Sequence, residues 1–382
     1  MSDECRACGL PRELKKRVFW TSQGEMFSRQ ARGERLIFLD VNWTRYLVEE
    51  ALNQGGKDLL HLLKECRREH TRKRVEATVR GWGAFLMRRR LTGRQLFDGF
   101  LEELPHYGFG RFEILEFKPR KLARLKVDDA YDDLFLVADL LGLWEATQGV
   151  RASEILEPAG KGSFSLLLKA EEKVKRVESG REDEGKRSPT PLKKDDVIPL
   201  CPRCRRPRYP GRMVWNVKGG TIYDELSGRR FIISTVSSWA RVFFLLKREC
   251  PPAYHAFARR LGEASRESFV SPVEDGGAKD IKAAYRDFFL SLPFLGWGRP
   301  IRVRRRPFLV EAELVGTPFP DLLAAEMRGR FGSLEREEWS VEVKASRDGG
   351  HLFVMGPSVD GIWIPLEKTL PPRSHPGIIL PW

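Results

Sequence analysis

The sequence predicts an α+β protein built twice, as two tandem pseudo-symmetric domains. Each is expected to be an antiparallel sheet packed on helices, with a knuckle-like metal-binding turn at its start. Three observations carry this expectation. The string CRACGLPR at 5–12 returns as CPRCRRPR at 201–208, so the first cysteines lie 201 − 5 = 196 residues apart in a chain of 382. FLEELPHYGFGR at 100–111 returns as FLSLPFLGWGR at 289–299. Around these landmarks, strand-like and helix-like apolar periods follow one another in the same order in both halves.

In the first half, 17–21 and 36–39 are short β-type runs flanking a Gly- and charge-rich middle, the pattern of a hairpin. From Trp43 to about Arg90, Leu47, Ala51, Leu59, Leu62, Leu63, Cys66 and Val75 recur at helical spacings, with interruptions at Gly55-Gly56 and Gly81. The helix at 93–104 has one apolar face, and Pro105 ends it. Paired strands are expected at 112–117 and 122–127, a helix from Asp132 to about Trp144, and two more strands near 152–156 and 163–168.

Residues 171–199 are charged and nearly devoid of apolar side chains, too little to offset the entropy of ordering. They read as a flexible linker between a first copy at 1–170 and a second at 200–360. The second copy repeats the order: a hairpin from 213–217 and 230–234, helices over 239–269 and 280–292, strands at 301–303 and 309–314, a helix at 321–331, and strands at 340–345 and 351–355. A proline-rich arm at 361–382 has no counterpart.

The repeat is clearest at punctuating residues. At an offset of 188, Leu104, Pro105, Gly108, Gly110 and Arg111 meet Leu292, Pro293, Gly296, Gly298 and Arg299. At 195, Trp20, Gly33 and Arg35 meet Trp215, Gly228 and Arg230. A helix that stops at proline needs a permissive turn before a strand, which glycine supplies. The motif therefore belongs to the fold rather than to chemistry.

Composition narrows the function classes. No apolar run approaches the roughly 20 residues of a membrane helix, and MSDECRACG lacks the pattern of a secretory signal, so a cytoplasmic protein is expected. Six cysteines, four of them in CxxC pairs, read as metal binding in a reducing compartment. The net charge of +14 favours an acidic partner. Arg67, Arg68, Arg72, Lys73, Arg74, Arg88, Arg89 and Arg90 in the first half, with Arg304, Arg305 and Arg306 in the second, could grip phosphates of RNA or DNA. Solvated faces are the alternative for these clusters.

A CxxC turn supplies two of the four thiolates that zinc accepts, so each pair is half a site. Two completions are open. Cys5, Cys8, Cys201 and Cys204 can share one zinc between the copies. Alternatively, each pair finds partners in its own copy, from Cys66 and His70, four apart on one helix face, and from Cys250 and His255. No phosphate-binding loop, dinucleotide fingerprint, nucleophile elbow or His-Glu-x-x-His is present, and Asp128-Asp129 and Asp132-Asp133 suit a helix start better than acid-base catalysis.

The order of hairpin, helices, GFGR/GWGR turn, two strands, helix and two strands resembles the 4-vinyl reductase-like domain family, related in fold to transport-particle (TRAPP) tethering subunits. The resemblance covers 16–170 and, more weakly, 212–355. It implies that the two copies form an internal dimer and that an apolar pocket lies between helices and sheet. The zinc site of the family's sensor members does not carry over, because 153–168 and 340–355 contain no cysteine. The expectation is a non-enzymatic, zinc-containing binding or assembly module for a small hydrophobic ligand or a protein partner. The alternative is a basic zinc protein that binds nucleic acid, and an enzyme on a small hydrophobic or tetrapyrrole-like substrate is implied by the resemblance alone.

Overall fold

The computed structural model describes residues 4–31, 33–81, 92–160, 162–173, 191, 198–268, 278–306, 309–346, 349–358 and 378–379. Most of the expected linker, most of the C-terminal arm, and Arg88, Arg89 and Arg90 lie outside the described residues. A short helix, α1 (Arg12–Arg17), leads into β1 (Val18–Trp20), β2 (Met26–Ser28) and β3 (Arg35–Asp40). These strands make an antiparallel meander of three rather than the expected hairpin, because Met26–Ser28 pairs with both neighbours. Helix α2 (Val41–Gly81) follows, and Gly56, at φ 69° and ψ −167°, kinks it.

Helix α3 (Gly93–Glu103) starts on a capping box in which Thr92 and Gln95 satisfy each other's backbone N–H groups. After a tight turn at Leu104–Tyr107 come β4 (Arg111–Lys118), β5 (Leu122–Asp128), α4 (Asp133–Gln148), β6 (Val150–Gly160) and β7 (Ser163–Lys173). The Asp132 carboxylate caps α4, accepting from the Phe135 N–H at 2.8 Å, which is the helix-start role expected for this acidic pair.

The second half runs through β8 (Met213–Asn216), β9 (Thr221–Asp224), β10 (Arg230–Thr235), α5 (Val236–Glu249) and α6 (Pro251–Ser268). Where the first half kinks at Gly56, the second ends α5 at Cys250 and restarts on Pro251, whose fixed φ suits a first helical position. Then follow α7 (Ala278–Leu295), β11 (Arg299–Arg306), β12 (Leu309–Val315), α8 (Pro320–Glu335), β13 (Trp339–Ala345), β14 (His351–Pro357) and β15 (Ile378–Ile379).

Three sheets result. Each half has its own antiparallel sheet, β4-β5-β7-β6 in the first and β13-β14-β12-β11-β15 in the second. The third, of six strands in the order β1-β2-β3-β10-β9-β8, takes three from each half. Its central pair is antiparallel, with Phe38 opposite Ile233. Since the meanders repeat at 230 − 35 = 195 and 38 + 195 = 233, these two residues are equivalents, and a local twofold passes between them.

Side chains on β3 and β10 alternate between two cores, as a period of two requires. Ile37, Leu39 and Ile232 join the large core made with the helices. Leu36, Phe38, Phe231 and Ile233 join a smaller one that includes three knuckle cysteines. Near-continuous apolar runs at 36–39 and 231–233 thus mark strands buried on both faces. Among the described residues, no helix is long and apolar enough to cross a membrane.

The repeated turn locks the halves together. The Gly110 N–H donates to the Gly220 carbonyl at 2.9 Å, and the Gly298 N–H to the Gly24 carbonyl at 3.1 Å. Arg230 donates to the carbonyls of Ala130 at 3.1 Å and of Asp129, and Arg35 to those of Gly296 at 3.2 Å and of Gly316. Each half's meander therefore grips the other half's turn. Gly108 and Gly296, at φ 85° and 79°, are so close that a Cβ would lie 2.6 Å from the Phe231 and Leu36 carbonyl oxygens respectively.

Gly296→Ala should cost about 1–3 kcal/mol from backbone strain, and more once the Leu36 carbonyl is displaced. Gly149→Ala, at φ 67° but with nothing within 4 Å of its Cβ, should cost less. Denaturant unfolding of the two variants checks this, and equal losses would show that the turn is not gripped across the copies.

Candidate metal centre and adjoining cavity

Each knuckle is a turn closed by its own backbone. The Cys5 N–H donates to the Leu10 carbonyl at 3.0 Å and the Gly9 N–H to the Cys5 carbonyl at 2.7 Å. In the second knuckle, the Cys201 N–H donates to the Arg206 carbonyl at 2.7 Å and the Arg205 N–H to the Cys201 carbonyl at 3.0 Å. Bridges Glu4–Pro11 and Leu200–Pro207 close both loops at the same relative place. The first knuckle also docks on the second half, where the Cys8 carbonyl accepts from the Met213 N–H at 3.3 Å. Gly9 makes that approach feasible, since a Cβ there would fall 1.7 Å from the Met213 carbonyl oxygen.

The pseudo-twofold brings the knuckles together. Cys5 Sγ lies 3.8 Å from Cys201 Sγ, Cys8 Sγ lies 3.6 Å from Cys204 Sγ, and all four sulfurs fall within 4.8 Å of one another. A tetrahedral ion with metal–sulfur bonds of about 2.3 Å has sulfur–sulfur edges of about 3.8 Å. All four are free cysteines, and three are buried. Hydrogen bonding to Cys204 and burial push the Cys8 thiol up, and burial does the same for Cys201. Cys204 is lowered to about 5, by its hydrogen bond with Cys8 first, with the Arg206 N–H adding to it. One thiolate therefore forms readily, whereas four in this volume require a cation to offset their repulsion. The donor set, spacing and backbone donors fit a closed four-thiolate site.

The other expected ligands are not drawn together. Cys66 and Cys250 pack against the large core. The His70 Nε2 sits 3.2 Å from the Ser237 Oγ, and the His255 ring lies beside Tyr254. Among the described residues, the four knuckle cysteines form the one cluster able to hold a metal ion.

Of the described first-half basic residues, Arg67, Arg68 and Arg72 are buried in ion pairs, while Lys73 and Arg74 stay partly exposed. Arg67, 3% exposed, makes a bidentate pair with Asp139 at 2.7 and 2.8 Å. Arg68 pairs with Glu145 and with Glu65, and Arg72 with Glu69 at 2.6 Å and Glu76 at 2.7 Å. Lys73 and Arg74 reach Glu69 and Glu34 at 3.5 and 3.2 Å. On β11, Arg305 pairs with Glu335 at 2.7 Å, while Arg304 and Arg306 lie opposite Glu311 and Leu309. The Arg67 and Arg68 pairings were not legible, because Asp139 and Glu145 lie about 70 residues from their arginines, beyond the reach of any local charge pattern.

Beside Arg67 lies a cavity of about 310 Å³ between α2, α3, β2, β3 and β10. Its walls are apolar, with Leu36, Val75, Leu96, Phe100 and Leu143 among them, and the second half contributes Ile233, Ser234, Thr235 and Ser238. This largely apolar pocket lies between helices and sheet, at the junction of the copies. The sequence held no direct sign of it.

Burial first, then the guanidiniums of Arg67, Arg74 and Arg241, hold the His70 imidazole down to about 3. The unfolded chain binds a proton near pH 6.5 that the native protein refuses, so stability is lost as pH falls below about 6.5. The slope is at most about 1.4 kcal/mol per pH unit for one proton. His70→Gln should remove it. Denaturant unfolding between pH 6.5 and 4.5 should show the wild type losing stability faster than the variant, and a pH-independent difference would mean that His70 titrates normally.

Comparison of the chain with protein-family models, with curated proteins and with solved structures finds no match. Its internal repeat then serves as the comparison, each half being the reference for the other.

Proposed function

We propose that this chain is an internal pseudo-dimer stapled by one zinc ion, acting as a binding module for a small hydrophobic ligand. The observation that carries the proposal is the meeting of two CxxC knuckles at tetrahedral spacing, with two sulfurs from each copy. An all-thiolate, buried, closed set favours zinc over oxygen-preferring ions, and it leaves no open position for substrate. The metal's role is therefore structural. Free thiols at every cysteine suit a reducing, cytoplasmic compartment.

Binding rather than catalysis is what the cavity is equipped for. Its carboxylates Asp139, Glu34 and Glu103 are held by Arg67, Arg74 and Arg17, so none stands ready as a base. The 4-vinyl reductase-like resemblance, with its pocket between helices and sheet, points the same way.

Elemental analysis of the purified chain should give one zinc per chain. Cys8→Ser should weaken retention by orders of magnitude, and cobalt substitution should produce the visible spectrum of a tetrahedral thiolate site. Two zinc ions per chain would replace the shared site by one per copy, and a metal-free protein of undiminished thermal stability would remove the staple altogether.

A further inference from the structure

The two copies offer the same cavity position twice, and only one is open. In the helices after the kink the repeat runs at 194, since Gly142 abuts the Arg68 carbonyl as Gly329 abuts that of Gly262 (262 − 68 = 194). Arg67 then corresponds to Leu261, Thr71 to Ser265 and, in the meanders at 195, Glu34 to Arg229, Ser238 to Trp43 and Thr235 to Asp40. Asp40, Trp43, Arg229, Leu261 and Ser265 surround a void of only about 10 Å³. The indole of Trp43 packs against Trp297 at 5.2 Å, and Arg229 bonds Asp40 at 2.5 Å and Glu326 at 2.9 Å. The second copy is plugged where the first has Ser238 and Glu34.

The open cavity also has polar groups left over. Arg67 donates to Asp139 and Ser234, yet its Nη1 is buried without a hydrogen-bond partner, and so is the Thr235 Oγ1. Both residues line the cavity and both are at least nine-tenths buried. An orphaned buried donor is destabilising unless a ligand or water satisfies it. The charges around it are already balanced, Arg67 by Asp139, Arg74 by Glu34 and Glu103 by Arg17. A carboxylate or an ammonium would enter without a free counter-charge, which is costly in an apolar site.

We infer that the first-copy cavity takes one uncharged amphiphile per chain, an apolar body carrying a single acceptor oxygen that Arg67 Nη1 and Thr235 Oγ1 bind, while the second copy is a closed half that supplies part of the floor. This rests on the ligand-binding reading above and names its ligand class. The volume equals about ten waters, which suits on the order of ten to fifteen non-hydrogen atoms.

The test uses the full metal-loaded chain, with 4-(dimethylamino)benzonitrile as a small neutral fluorescent probe and 2-decanone, decanoate and decylammonium as competitors. The ketone should displace the probe at a concentration at least about ten-fold lower than either ion. Thr235→Val should weaken the ketone several-fold without changing zinc content. Ser238→Trp, which installs the plug of the second copy, should abolish probe binding, and Gly99→Leu on α3 provides a second plug should that variant fold poorly. Equal or stronger competition by decanoate or decylammonium overturns the ligand class and leaves the binding module standing. Unchanged affinity in both plugged variants overturns the site. Failure of both probe and ketone to bind the wild type overturns the ligand-binding reading itself.

Discussion

β1, β2, β8 and β9 are only three or four residues long, and strands that short need a larger sheet or a packed face to persist in water. β3 and β10 resolve this for both halves at once by pairing about a local twofold, with Phe38 opposite Ile233. Six strands then share one sheet, buried on one side by the helices and on the other by the knuckles. The reciprocal grip of Arg35 and Arg230 on the opposite turns needs the same pairing, because each arginine begins one of the two central strands. The pairing likewise sets where the knuckles fall.

An ion held by the four knuckle cysteines would add a constraint of a different kind. A link between Cys5 and Cys201 closes a loop of about 196 residues, and in the chain-entropy treatment of a cross-link a loop that long is worth on the order of 5 kcal/mol. That contribution acts on the unfolded chain, whereas the sheet acts on the folded one. The two are complementary, since the sheet brings the four sulfurs to within 4.8 Å and an ion there opposes separation of the copies. Without a cation the same cluster is a liability, because Cys204 ionises readily beside the Cys8 and Cys201 thiols, which resist it.

Local punctuation made the element order legible. Proline after a helix, glycine at a turn and paired cysteines each act within a few residues, and the helices and the strand pairs after GFGR and GWGR lie where such residues put them. β2 and β9 were not legible, because three or four residues are too few for a period to show. Nor was the pairing of β3 with β10, whose partners stand 195 residues apart in sequence. The runs LIFL and FII did carry a hint, being too continuous for a strand with one wet face. For the cysteines, chemistry was readable from spacing, but the choice between shared and separate sites depended on tertiary geometry.

Divergence of the copies turns on one exchange of charge. Both α4 and α8 bury an acid at the same place, Asp139 and Glu326, since 326 − 139 = 187 and Gly142 and Gly329 are likewise 187 apart. In the first half its cation, Arg67, comes from α2. In the second, Leu261 occupies that helical position and the cation Arg229 reaches in from just before β10, joining Arg330 of α8 itself on Glu326. A guanidinium crossing from the meander must pass through the space between helix and sheet, and Trp43 fills what remains. A guanidinium from the helix leaves that space empty. An acid buried alone would be untenable, so each half had to supply a cation. The side from which it came decided which half kept a cavity.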